Sequence, residues 1–127
     1  MRRRALTTVA ALAAFATMAA SCLSPTLPLP PPDAPEGISG PGSTGLWQIS
    51  GNCVAGAIVS IFNTNTGLGV EVEDRANTGT YTVAIAGTEC DIVSVDQETT
   101  AGAASASTTF TLQAVSSGET VNPNACP

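Results

Sequence analysis

The side chains of this sequence that could do chemistry are its carboxylates, its many hydroxyls and four cysteines, Cys22, Cys53, Cys90 and Cys126. A serine or threonine nucleophile needs a base that works near neutrality, and the sequence holds neither histidine nor lysine. Carboxylates could serve as an acid–base pair, but such a pair needs a cleft, and a patterned stretch of about 67 residues hardly builds one. These absences point away from an enzyme, and no catalytic residue is assigned. Glu71, Glu73 and Asp74 lie close together, and Asp91 and Asp96 could approach them. Hard oxygen donors would suit calcium, and strand alternation puts Glu71 and Glu73 on one face. A calcium site has denser Asp/Asn/Gly spacing, however, so a charged strand edge that resists edge pairing is the preferred reading. No metal ligand and no cofactor is therefore assigned. Asp74 and Arg75 read as a surface pair of little energetic worth.

Cys22 stands apart from the other three cysteines. Arg2, Arg3 and Arg4 form a positive start, and residues 5–20 are apolar and rich in alanine. As a helix that stretch is about 24 Å long, short of a membrane span. The small residues Ala19, Ala20 and Ser21 come immediately before Cys22. This pattern reads as a signal peptide over residues 1–21 and resembles the lipobox of bacterial lipoproteins, with Ala19 where leucine is usual. The resemblance implies that Cys22 is lipidated and becomes the new N-terminus, anchoring the chain to a membrane. The alternative is ordinary secretion, since Ala19 and Ser21 also suit the plain signal peptidase. Leu23 in place of the aspartate of an inner-membrane retention signal implies the outer membrane, where the cell has one. Removal of the signal leaves one cation, Arg75, against ten carboxylates, a net charge of −9 compared with −6 for the full chain. Such a surface repels nucleic acid and anionic headgroups.

The elements that must position these residues are strands. Residues 22–45 hold seven of the nine prolines and read as an extended linker of roughly 70 Å, a stalk barred from any sheet interior. From Leu46 the period becomes two. Trp47 and Ile49, then residues 57–62, then Leu68, Val70 and Val72, then Tyr81, Val83 and Ile85, then Ile92, Val93 and Val95, then Phe110 and Leu112 mark six strands. Asn65-Thr66-Gly67 and Asn77-Thr78-Gly79 are matching turn signals. The pattern predicts an all-β fold, a small antiparallel sandwich over residues 46–112, with a C-terminal tail at 113–127. Trp47, Tyr81 and Phe110 are predicted to pack in its core.

The run Gly51-Asn52-Cys53-Val54-Ala55-Gly56-Ala57, the later Gly79-Thr80-Tyr81-Thr82-Val83, and Asp91 before Ile92, Val93 and Val95 resemble bacterial immunoglobulin-like modules of surface proteins. They are also similar to carboxypeptidase regulatory-like domains. The likeness covers Trp47 to Leu112 and implies an immunoglobulin-like scaffold, adhesion or spacer module without catalytic residues. Those modules usually have proline where Ala55 stands and glycine where Cys90 stands. Beside these departures, the resemblance suggests a disulfide between Cys53 and Cys90. Three predicted strands separate the two cysteines, an odd count that disfavours the bond because each strand carries the chain to the other end of a sandwich. A further short strand around residues 74–77 would make the count even, and the bond lies wholly within the patterned module, so Cys53–Cys90 is the predicted pairing. Parity allows Cys90 with Cys126 outright. The functional expectation is a lipid-anchored envelope module displaying an acidic domain to a protein or glycan partner. The alternatives are an accessory subunit of an envelope complex, docking through its tail, and a calcium-dependent adhesin.

Overall fold

The computed structural model describes residues 27–115, 122 and 124–126. The signal peptide and Cys22 lie outside them. Seven strands follow one another: β1 Gly37–Ser39, β2 Leu46–Asn52, β3 Ile58–Asn63, β4 Leu68–Glu73, β5 Thr80–Ala86, β6 Ile92–Glu98 and β7 Thr108–Thr111. Among the described residues there is no helix. The strands form two antiparallel sheets, β1-β2-β5 and β4-β3-β6-β7. The chain changes sheet after β2, after β4 and after β5, while β3–β4 and β6–β7 stay within one sheet. The result is the small antiparallel β-sandwich that the alternation predicts.

Alternation decides which residues meet between the sheets. Trp47 and Ile49 from β2, with Tyr81, Val83 and Ile85 from β5, face Val59 and Ile61 from β3, Val93 and Val95 from β6, and Phe110 from β7. Trp47 is 1% exposed and donates its indole N–H to the Gly87 carbonyl at 3.0 Å, so its one polar group is satisfied in the core. Gly51 lies opposite Tyr81 in the ladder, where a Cβ would fall 2.8 Å from the phenol oxygen. Only glycine lets that large ring pack there.

The proline-rich stretch is a correction to the predicted linker. From Leu29 onward it lies against the sandwich, and Ile38, 1% exposed, belongs to the core. Proline lacks an N–H but keeps its carbonyl, and the strap binds through carbonyls. Pro30 accepts from Gln97 Nε2 at 2.9 Å, and Pro32 accepts from the Thr108 hydroxyl. Strand β1 forms in the proline-free interval before Pro41 and pairs with β2 at the sheet's edge. The predicted tail is corrected likewise. Val115 exchanges two backbone hydrogen bonds with Ile38, covering the free side of β1, and Gln113 is buried.

The predicted bond between Cys53 and Cys90 is overturned. Cys90 is joined to Cys126 and Cys53 is unpaired. The reason is the strand count: β3, β4 and β5 separate Cys53 from Cys90, and an odd number leaves them at opposite ends of the sandwich. Cys90 has φ +71°, a left-handed conformation natural to glycine, the residue that the resembled modules have there. The cross-link holds a backbone that a side chain disfavours.

Candidate functional site

Two buried carboxylates organise the two ends of the sandwich. At one end Asp74, between β4 and β5, accepts the backbone N–H of Thr78 at 3.0 Å, of Gly79 at 2.7 Å and of Gly56 at 3.2 Å, and also the Thr78 hydroxyl. These donors favour the charged form, the Thr78 and Gly79 amides most, and hold its pKa down at about 2. Its two oxygens thus tie the β4–β5 turn to the β2–β3 turn. Asp74 is therefore an anchor and forms no pair with Arg75, whose guanidinium meets Glu73 at 2.8 Å on the surface.

At the other end Asp91 accepts from Asn63 Nδ2 at 2.8 Å and from the backbone and hydroxyl of Thr88. Chiefly the Asn63 amide, and next the Thr88 N–H, lower its pKa. Asn63 is fully buried, and its side-chain oxygen accepts from the Asn65 and Thr66 amides, forming the β3–β4 turn. The Cys90–Cys126 bond lies beside this group, and Gln113 Nε2 donates to the Asn122 carbonyl and to Cys126 Sγ.

Cys53 stands at the Asp74 end, half-buried. Burial first, and the Asp74 charge second, push its thiol pKa up, which keeps it protonated and a poor nucleophile. Near it the Tyr81 phenol is 4% exposed and has no hydrogen-bond partner among the described residues. Burial drives the phenol pKa up to about 12. The proline strap crosses this same end. Gln97, inward-facing on β6, accepts from the Val54 N–H at 2.7 Å and donates to Pro30, so one side-chain amide joins the strap to the turn that holds Cys53.

The structure thus separates the carboxylates that the sequence grouped as a candidate calcium site. Asp74 and Asp91 are taken up by backbone and amide donors at opposite ends. Glu71, Glu73 and Asp96 lie on the outer face of the four-stranded sheet. Among the described residues no group of three or more cysteines and carboxylates could hold a metal ion.

The arrangement of that outer face was not foreseen. Glu71, Ser60 and Asp96 form one row across β4, β3 and β6, and Glu73, Ile58 and Glu98 form the next. Cross-strand partners share a face, so two carboxylates flank β3 in each row. Further along the same face come Phe62, 44% exposed, and Ile92, 47% exposed. Glu98 escaped sequence reading because the apolar alternation of β6 stops at Val95. The period continues, with Gln97 taking an inward position. The outer face of the other sheet is different: Thr80, Thr82, Ser50, Gln48 and Ser39 make its strands polar and uncharged, with Glu36, just before β1, accepting from Asn52 Nδ2 at one corner. A shallow depression beside it, lined by Ser39, Pro41, Thr44 and Gln48 among others, holds no ionisable side chain. Comparisons with protein-family models, with curated proteins and with solved structures find no match. The functional reading therefore stands on these residues alone.

Proposed function

We propose that this chain is an exported, lipid-anchored module of the cell envelope, of binding or structural type, held on the membrane through Cys22. Its sandwich would be held close to the bilayer. The observation that carries this reading is where the chain joins the fold. Leu29 donates to the Ala104 carbonyl and Pro30 and Pro32 are clamped next, so the leash back to Cys22 spans at most roughly 25 Å. The start of the chain, with its arginines, apolar alanine run and small residues before Cys22, supports the anchor. A cysteine cross-link in a small domain supports an oxidising compartment. The crossing of the strands between the two sheets supports the likeness to immunoglobulin-type modules.

Anchored in this way, the domain has its Asp74 end, where the strap joins it, nearest the tether. The accessory-subunit alternative relied on a tail free to dock. Gln113, Val115 and Cys126 instead bind the domain itself, which disfavours it. The mass of the protein purified from membranes tests the anchor. It should equal residues 22–127 plus acyl and diacylglycerol groups, and Cys22→Ala should release a folded domain. A bare Cys22 terminus, or wild-type protein released to the medium, would overturn the reading.

A further inference from the structure

The outer face of the four-stranded sheet is where a binding module of this kind would meet a partner, and the inference rests on that reading. We infer that this face docks a protein segment carrying lysine or arginine next to apolar side chains. The first ground is that two of its four carboxylates, Asp96 and Glu98, have no structural purpose, whereas Glu73 pairs with Arg75 and Glu71 accepts from the Ser60 hydroxyl at 3.2 Å. Glu71 and Glu73 are on β4, an edge strand, where charge discourages edge pairing. Asp96 and Glu98 are on β6, which pairs with β3 on one side. On the other it is covered by β7 as far as Val95 and then by residues 103–105, through the Glu98–Ala104 bridge and the Ser105 N–H to the Gln97 carbonyl. Edge protection does not account for them. Among the described residues they carry no ion pair, and across β3 they confront the two glutamates.

The second ground is shape. Strands β4 and β6 are two spacings apart, roughly 10 Å. Between these lines of carboxylates runs the outward side of β3: half-buried Ile58, then Ser60, then exposed Phe62. The Phe62 ring lies over Gly69, where a Cβ would come 3.1 Å from it, so it is fixed as a flat apolar step at the end of the acidic strip. Ile92 extends that step on β6. A segment laid along β3 would meet carboxylates on both flanks and an apolar floor at one end.

The third ground is exclusion of other occupants. A second copy would bring the same carboxylates face to face, and after signal removal the chain has one cation, Arg75, already engaged by Glu73. Anionic lipid and nucleic acid are repelled for the same reason. The other outer face has no charged residue on its strands to attract such a partner.

The test uses the full mature chain, purified from membranes or from the medium, and a labelled short peptide of alternating lysine and leucine, read by fluorescence anisotropy. Binding should saturate and weaken with salt. The pair Asp96→Asn with Glu98→Gln should weaken it roughly tenfold, and Phe62→Ser roughly fivefold. A third variant adds Thr80→Glu and Thr82→Glu to the Asp96→Asn, Glu98→Gln pair, which keeps the net charge and moves it to the other face. It should remain as weak as the pair. Recovery of affinity in that variant, equal binding of a lysine–glycine peptide, or full competition by spermine would each overturn the inference, because each makes net charge sufficient. Retained circular dichroism and an intact Cys90–Cys126 bond show that a weak variant is folded. The affinity is read whether or not Cys22 carries lipid, so this test and the mass test fail separately.

Discussion

The two ends of the sandwich are built on one plan and finished differently. Each has a buried aspartate that collects hydrogen bonds from neighbouring turns, Asp74 at one end and Asp91 at the other. The Asp91 end then adds a covalent bond, Cys90 to Cys126, which closes the returning C-terminal segment onto the domain. The Asp74 end has a cysteine too, but Cys53 is unpaired and a side-chain amide, Gln97, holds the strap instead. In the proposed function the hydrogen-bonded end is also the one nearest the tether. A domain this small is marginal on core burial, so where its cross-link sits decides which end opens first.

The largest effect that would break this comparison comes from the cysteines. The Cys90–Cys126 bond spans 36 residues, and loss of a loop that size costs roughly 4 kcal/mol in the chain-entropy model. Cys126→Ser should therefore lower urea stability by about that much, and Cys53→Ser by no more than about 1 kcal/mol. Cys90→Gly removes the same bond but relieves the φ of +71°, so it should be milder than Cys126→Ser by about 1 kcal/mol. Equal losses for Cys53→Ser and Cys126→Ser would mean that the two ends are not distinct.

A smaller effect separates the two aspartates by pH. The Asp74 carboxyl is held at about 2, below the ordinary value near 4 of an unfolded chain. Its contribution is therefore fully present above about pH 4 and is lost as pH falls toward 2, where the folded carboxyl itself takes up a proton. Asp91 is depressed too, with the same sign. Asp74→Asn should flatten the acid limb of the stability curve, and hydrogen exchange should show the Gly56 and Gly79 amides opening early. If the Asp91 end opens first in acid despite its cross-link, the ranking of the ends is wrong.

These features were unequally legible. Six of the seven strands follow from period two, because one buried face forces alternation. Strand β1 was hidden because prolines surround it, and because a strap held through proline carbonyls leaves no periodic trace. The alternation predicts strand β6 only as far as Val95, because its next inward position is the polar Gln97. The strand count between Cys53 and Cys90 was legible, and it opposed the bond that the resemblance favoured. Asp74 and Asp91 looked like surface or metal-binding groups, since a carboxylate turned toward backbone amides has the same composition as one turned toward water. The neighbouring Thr78-Gly79 and Thr88 are turn donors that could have pointed to the anchors. The acidic rows needed the register, which sets β4 against β6 across β3.

The smallest effect sharpens the comparison within the Asp74 end. Tyr81 buries a hydroxyl with no partner among the described residues, and an unpaired buried hydroxyl costs about 1–3 kcal/mol compared with its state in water. Tyr81→Phe keeps the ring that fills the space above Gly51 and removes only that oxygen, so stability at neutral pH should be unchanged or rise by up to about 1 kcal/mol. The alkaline limb should change more visibly. Burial raises the phenol to about 12, against about 10 in the unfolded chain, so the neutral phenol stabilises the fold fully below pH 10. That stability falls as pH rises from 10 to 12, because the unfolded chain ionises first. Urea melts over that range should show a falling limb in the wild type that Tyr81→Phe largely removes. The Asp91 end has no buried phenol, so its amides should not gain protection in the variant. Marked destabilisation by Tyr81→Phe at neutral pH would mean that the hydroxyl has a partner, and the Asp74 end would then be as fully satisfied as the cross-linked one.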